Sequence, residues 1–212
     1  MKAILDIGNV LVHVRLESFL EKFSKLIPPN HDPMLFLETI QGMHDIGLIT
    51  MEQSFRDKYE LSHSKEFSVK DLLDLWNSVV IRNEFMINFM KDLHFQGVRF
   101  GLVSNIGKEH HEYLQQICPE IFEMSEIHHL SYQVGARKPS KLYFQSFLQD
   151  HPSWIGCVYL DDRLDNLLTG KYYGFRTVQF DLNDFQSLKE IKSSTDPIKK
   201  IILSHRTNEE LK

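Results

Sequence analysis

Cys157-Val158-Tyr159-Leu160-Asp161-Asp162-Arg163-Leu164-Asp165-Asn166 is an apolar run that ends in two adjacent carboxylates, with another Asp and an Asn one turn later. The run reads as a strand over 157–161. Adjacent carboxylates at its end repel each other unless a cation or a proton intervenes, so a solvated turn explains them poorly. Similar strand patterns lie at about 2–6, 98–104, 127–131 and 176–180. From 98 to 180 they alternate with helical stretches, the βαβ rhythm of a parallel sheet covered on both faces. The expected class is therefore α/β, a Rossmann-like doubly wound parallel sheet.

The rest of the composition fits that class. The chain has 212 residues, 42% hydrophobic and 25% charged, which excludes disordered, collagen-like and disulfide-stapled proteins. Twenty-four Lys+Arg against 29 Asp+Glu give a net charge of −5, without the basic balance of a nucleic-acid binder. No apolar run reaches the ~18 residues of a spanning helix, and the N-terminal apolar run stops at Asp6, too short for a signal-peptide core. Cys118 and Cys157 have no metal or redox spacing and read as small buried hydrophobes. The expectation is a cytoplasmic protein with no membrane or nucleic-acid partner.

Between the first strand and the second, about 14–97, only helical patterns occur. Leu16, Phe19, Leu20, Phe23, Leu26 and Ile27 mark a first helix, stopped by Pro28-Pro29. Asp32-Pro33, Thr50 with Gln53, and Ser68 read as starts of three more, and a fifth spans about Asn83–Gln96 before Gly97. These make either a lid over the sheet or a helical layer packed on it, with Phe19, Phe23, Phe36, Phe55 and Trp76 as its core. The tail after 181 reads as one or two surface helices broken at Asp196-Pro197.

Ligands of a doubly wound sheet bind outside the carboxyl ends of its strands. Strand one ends in Asp6-Ile7-Gly8-Asn9, strand two in Ser104-Asn105-Ile106-Gly107, Lys138-Pro139 follows the third, and Asp161-Asp162 closes the fourth. Three carboxylates suit a hard divalent cation, most simply Mg²⁺, while Ser104 and Lys138 supply donors for an anion beside it. Metal, anion and a carboxylate nucleophile make a phosphoryl-transfer site. Eleven histidines, including His110-His111 and His128-His129, offer no His-x-x-x-His pair for zinc.

In order and spacing these residues resemble the four motifs of the haloacid dehalogenase (HAD) superfamily. Asp6-Ile7-Gly8-Asn9-Val10-Leu11 is similar to motif one, Val103-Ser104-Asn105 to motif two, Gly135-Ala136-Arg137-Lys138-Pro139 to motif three, and the stretch from Leu160 to Asn166 to motif four. The resemblance runs from about 2 to 180. It implies a core of 1–14 and 98–212 with a subclass I (C1) helical cap at 15–97. His44-Asp45-Ile46-Gly47-Leu48-Ile49-Thr50 looks like the cap of the sugar-1-phosphate phosphatase branch. A Mg²⁺-dependent phosphatase is implied, acting on a small phosphate monoester, with a sugar phosphate favoured. Asp6 would be the nucleophile, and Asp6, the Gly8 carbonyl and Asp162 the metal ligands, with Asp161 in their first or second layer. Ser104, Asn105 and Lys138 would bind the phosphate, and Lys138 would also act in catalysis. Receiver domains share the Asp, Ser/Thr and Lys set, but their paired acids precede the phosphorylated Asp. Dehalogenation fits poorly with acids suited to a metal.

Gly8 departs from the pattern. Most phosphatases of the family carry a second Asp there, which protonates the leaving oxygen. Some members of the same branch read Asp-x-Gly-Asn. Either the chain is an active phosphatase whose leaving group is comparatively acidic, as in an anomeric sugar phosphate or an aryl phosphate, or which borrows an acid such as His13 or a cap residue, or it is a non-catalytic or regulatory protein that binds a phosphorylated ligand or a protein partner through the cap. Asp45 and Arg15 are further candidates for substrate contact. The oligomeric state is open.

Overall fold

The structure, a computed structural model, describes residues 1–25, 27, 32–61 and 68–204. Five parallel strands form the central sheet: β1 (Lys2–Leu5), β4 (Arg99–Ser104), β5 (Ser125–Leu130), β6 (Val158–Asp161) and β7 (Arg176–Gln179), in the spatial order β5-β4-β1-β6-β7. All five match the strands expected from the sequence. The first strand is central, with later strands added on either side, so strand order reverses at β1 and the crevice for a ligand opens there. The pleat divides each strand between the two faces. Ala3, Leu5, Phe100, Leu102, Val158 and Leu160 enter one apolar cluster, whereas Ile4, Val103 and Tyr159 enter the other with Tyr143, Phe144 and Phe147.

A second, antiparallel pair joins β2 (Val12–Val14) to β3 (Val80–Arg82), with His13 opposite Ile81. The sequence reading missed it, because it took everything from 14 to 97 as helical. Three-residue strands lack a measurable period, and Val79-Val80-Ile81 continues the apolar spacing of the preceding helix.

Among the described residues four α-helices lie between β2 and β3: α1 (Glu17–Phe23), α2 (Pro33–His44), α3 (Met51–Leu61) and α4 (Val69–Ser78). Their starts are chemically specified. Asp32 accepts from the Met34 N–H at 2.8 Å, Thr50 Oγ1 from Gln53 at 3.0 Å, and Ser68 exchanges hydrogen bonds with Asp71 in a capping box. Leu26 and Pro28-Pro29, expected to close the first helix, lie outside the described residues. Phe19 packs at centroid distances of 5.1 Å on Phe23, 5.9 Å on Phe55 and 5.2 Å on Trp76, and Phe36 joins through Phe23.

The remaining helices flank the sheet: α5 (Glu84–Phe95), α6 (Lys108–Ile117), α7 (Pro119–Glu123), α8 (Ser131–Val134), α9 (Lys141–Asp150), α10 (Leu164–Tyr172) and α11 (Leu188–Ser204). The break expected at Asp196-Pro197 does not occur, since α11 runs through Pro197. Ile191, Thr195, Ile198 and Ile202 are buried at helical spacing along it, and that packing overrides the missing N–H. The helix lies at the surface, as expected, with this one face buried and the rest mostly exposed. Among the described residues no helix is long and apolar enough to cross a membrane.

The turn after α2 is locked onto the sheet side of the molecule. The His44 ring sits against Gly107, where a Cβ would lie 1.7 Å from it, and His44 Nε2 meets Glu109 Oε2 at 2.6 Å. Glu109 also accepts from the Met51 N–H at 2.7 Å, the start of α3. Burial disfavours charge on both side chains, but their mutual pairing wins: Asp45 and Glu109 raise His44 to about 9, and His44 holds Glu109 at about 2. Gly47, at φ +75°, passes within 2.5 Å of the Tyr132 carbonyl by the same Cβ measure, so only glycine fits there too. Gly107→Ala should expel His44 and break the pair, costing about 3 kcal/mol and lowering Tm by roughly 6–12 °C. An unchanged thermal melt would show that the ring is not held in this way.

Candidate active site

Asp6 follows β1 directly and is 7% exposed. Its Oδ1 accepts from the Ile7 N–H at 2.7 Å and lies 3.1 Å from Lys138 Nζ, and the Ser104 hydroxyl hydrogen-bonds to the same carboxylate. Burial pushes Asp6 up to about 6 despite Lys138, and the charge of Asp161 adds to the rise.

Lys138 is buried among acceptors. Its ammonium donates to the Val103 carbonyl at 2.8 Å and to Asp161 Oδ2 at 2.6 Å, and it pairs with Asp6. Those partners use all three protons, so the lysine fixes the two carboxylates relative to each other. Asn105 in turn fixes Lys138: its amide donates to the Lys138 carbonyl at 2.8 Å and accepts from the Lys138 N–H at 2.7 Å. The Asn105 side chain is thereby engaged with backbone, although the residue lines the crevice.

The two acids that close β6 have different surroundings. Asp161, fully buried, accepts from Lys138 and the Tyr159 hydroxyl on Oδ2, and from the Arg163 N–H at 2.9 Å and Asn166 Nδ2 at 2.8 Å on Oδ1. Four donors fill its accepting positions. Asp162 is half-buried and touches Asn9 Nδ2 at 3.4 Å. Burial, with Asp6 and Asp161 nearby, pushes it up to about 7. Ligand atoms of Asp6, Asp161 and Asp162 lie within 4.8 Å of one another, the one such cluster of metal-ligating side chains among the described residues.

Asn9, at φ 55°, makes the turn that carries Gly8 past these acids. Asn is among the few side chains that tolerate this region, and here its Oδ1 accepts from the Val14 N–H at 3.0 Å. The Asn9 carbonyl accepts from Leu182, which ties the turn to the segment beyond β7.

Asp6, Gly8, Ser104, Asn105, Lys138 and Asp162 line one crevice of about 670 Å³, which brings six of the seven residues proposed from the sequence together. The seventh, Asp161, lies behind them. Opposite stand Met34, Glu38, Gln41 and Asp45, one face of α2. Asp45 is buried there and faces Arg137 at 3.6 Å across the crevice. Sequence reasoning named Asp45 but missed Glu38 and Gln41, whose only signal was helical spacing from it. Arg163 and Ser140 at the rim were missed as well.

Two candidates do not reach the crevice. His13 lies in β2 with Nε2 against Asn83 Nδ2 at 2.9 Å, and burial lowers its pKa. It is not a crevice acid, because β2 turns its ring toward the start of α5. Arg15 is engaged with Asn183. The paired histidines also have structural partners: His110 stacks on Trp76 at 4.4 Å, His111 meets the Tyr132 hydroxyl, and His129 meets the Tyr143 carbonyl.

The raised acids set a pH dependence. Between about pH 4 and 7 native Asp6 and Asp162 hold protons that the unfolded chain has released, so unfolding stability of the metal-free protein falls as pH rises. A divalent cation bound between them reverses the trend and releases protons. Melts in EDTA and in excess cation should diverge as pH rises through that window, by several °C at neutral pH. Parallel curves would rule out binding at these acids.

No family model matches the chain. Among solved structures, a HAD family enzyme from Bacteroides thetaiotaomicron, crystallised with magnesium and inorganic phosphate, shares 23% identity with a TM-score of 0.74, over 88% of this chain and 96% of that one. A HAD-like family hydrolase from Porphyromonas gingivalis shares 19% identity over 92% and 97%, at a TM-score of 0.66. A HAD phosphatase from Thermococcus onnurineus shares 18% over 89% and 90%, at 0.57. At these identities the likeness is one of fold, and the fold of this chain is that of the HAD hydrolases.

Proposed function

We propose that the chain is a Mg²⁺-dependent phosphatase of the HAD superfamily, hydrolysing a small phosphate monoester at Asp6. The observation that carries this reading is the Lys138 ammonium clamped between Asp6 and Asp161, with Asp162 and Ser104 beside it, at the point where strand order reverses. A lysine held in this way keeps one carboxylate ionised and aimed, as a nucleophile requires.

Carboxylate and carbonyl oxygens suit Mg²⁺, and two acids held above their ordinary range mark a place where positive charge is wanted. Asp6, Asp162 and the Gly8 carbonyl would hold the ion, which when bound supplies charge neutralisation at the phosphoryl oxygens. Asp161 is assigned to positioning Lys138. An Asp6 oxygen bonds to phosphorus as the bond to the leaving oxygen breaks. Water then attacks the aspartyl-phosphate, which releases inorganic phosphate and restores Asp6. Ser104 and main-chain N–H groups at the start of α6 orient the phosphate. Residues 15–97 act as a C1 cap over a core of 1–14 and 98–212, and the α2 face with Glu38, Gln41 and Asp45 meets the leaving group.

Gly8 offers no acid, so the leaving group must depart with little protonation. An anomeric sugar phosphate fits, its hydroxyls answered by the polar α2 face. In Mg²⁺, glucose 1-phosphate should be cleaved at least about tenfold faster than glucose 6-phosphate. Equal or faster cleavage of the 6-phosphate would sink this account. A non-catalytic phosphate-binding protein is the competing reading, supported by Gly8 alone. It fails if a broad ester panel is hydrolysed and Asp6→Asn removes the activity.

A further inference from the structure

Behind Gly8 the crevice continues into a second cavity of about 90 Å³. The two share Gly8, Val14, Leu16, Gln41, Ser104 and Asn105 as walls, so the smaller opens directly onto the phosphate end of the larger. Its remaining walls are apolar: Val12, Trp76, Val79, Val80, Ile106 and Leu114 among them. The one histidine there, His110, is stacked on Trp76 with Nε2 against the Trp76 carbonyl at 2.9 Å, and burial holds it down at about 4, uncharged. The Asn105 amide is already engaged with Lys138. Among the described residues no charged group lines this space.

We propose that this annex is a substrate subsite which takes a compact apolar part of the leaving group, so that beside sugar phosphates, which do not use it, the chain accepts phosphate esters of aromatic or hydrocarbon-bearing alcohols, which do. The inference rests on the phosphatase reading and extends its range of esters. A cavity of ~150 Å³ takes benzene whole, so this one holds about four carbons or the edge of a ring whose remainder stays in the crevice. Two features of the wall support a ligand. Trp76, one of its walls, offers an aromatic side chain for an apolar or aromatic group to pack against. The same glycine that removes the usual acid also forms the mouth of the annex. A phenol leaves without protonation far more easily than an alkanol, so the chemistry left by Gly8 and the space behind it favour the same class of ester.

The test compares phenyl phosphate with glucose 1-phosphate in the wild type and in Val80→Phe, which fills the annex without touching the catalytic carboxylates. Leu114→Phe fills it from another wall, should the first variant fold poorly. One methylene in an apolar pocket is worth roughly 10–200-fold in kcat/KM. Filling should therefore cost phenyl phosphate at least about tenfold while glucose 1-phosphate stays within about threefold. An equal loss on both esters, or no loss on either, overturns the subsite. Phenylphosphonate, which is not hydrolysed, separates this from the parent reading. In a Trp154→Phe background Trp76 is the one remaining indole, and its emission should shift on binding and cease to respond in Val80→Phe. If no ester is turned over, the phosphatase reading fails, and a retained Trp76 response still supports the annex. Absence of any response overturns it.

Discussion

Asp6→Asn should lower kcat by roughly 10⁴-fold or more on every ester and, at neutral pH, make the metal-free protein more stable. The two effects have one cause. Wild-type Asp6 is buried beside Asp161 and is pushed up to about 6, so ionising it at pH 7 opposes folding by on the order of 1–3 kcal/mol. The amide removes that charge and keeps an oxygen for the Ile7 N–H at 2.7 Å. Lys138 retains Asp161 and the Val103 carbonyl, so it is not left as an unpaired buried cation. What disappears is the electron pair that attacks phosphorus. Thermal melts in EDTA and phosphate-release assays in Mg²⁺ read the two halves separately. A lower Tm would show that the 3.1 Å pair with Lys138 outweighs the burial cost. Persistent turnover would remove Asp6 from the nucleophile's role.

The parts of this site that a sequence reveals are those whose chemistry is local. Asp6, Ser104 and Asp161-Asp162 each stand at or just beyond a strand, and placing the strands is enough to gather them. What Lys138 does with its protons was not legible, because its partners Val103, Asp6 and Asp161 are distant in sequence and only packing aligns them. The α2 face fails for another reason. Glu38 and Gln41 carry the residue types of an ordinary solvated helix surface, and only the approach of the sheet makes that surface one wall of a crevice. His44 and Gly107 show the same limit, since a hole left by a glycine carries no signal about the ring that will fill it. At α11 the local rule pointed the wrong way, and the burial of Ile198 and Ile202 beside Pro197 decided the outcome.

Gly8→Asp should raise kcat on alkyl phosphates by about 10²–10⁴-fold, the usual worth of a positioned acid–base group. The site admits the side chain. Gly8 does not occupy the left-handed region, and a Cβ there would meet Val14 Cγ2 at 3.4 Å, an ordinary contact. Beyond Cβ the carboxyl enters the crevice that Gly8 lines, where burial and neighbouring acids hold Asp6 and Asp162 above their usual range and would keep a new acid protonated for the same reasons. Phenyl phosphate should gain nothing. Its leaving oxygen needs no proton, and the new side chain narrows the mouth of the apolar annex. The two ester classes should therefore change in opposite directions, with glycerol phosphate rising as phenyl phosphate falls. A uniform rise would mean that the annex takes no part in binding. A uniform fall, with the fold intact by circular dichroism, would mean that the glycine is needed for the metal's approach to its carbonyl rather than tolerated in place of an acid.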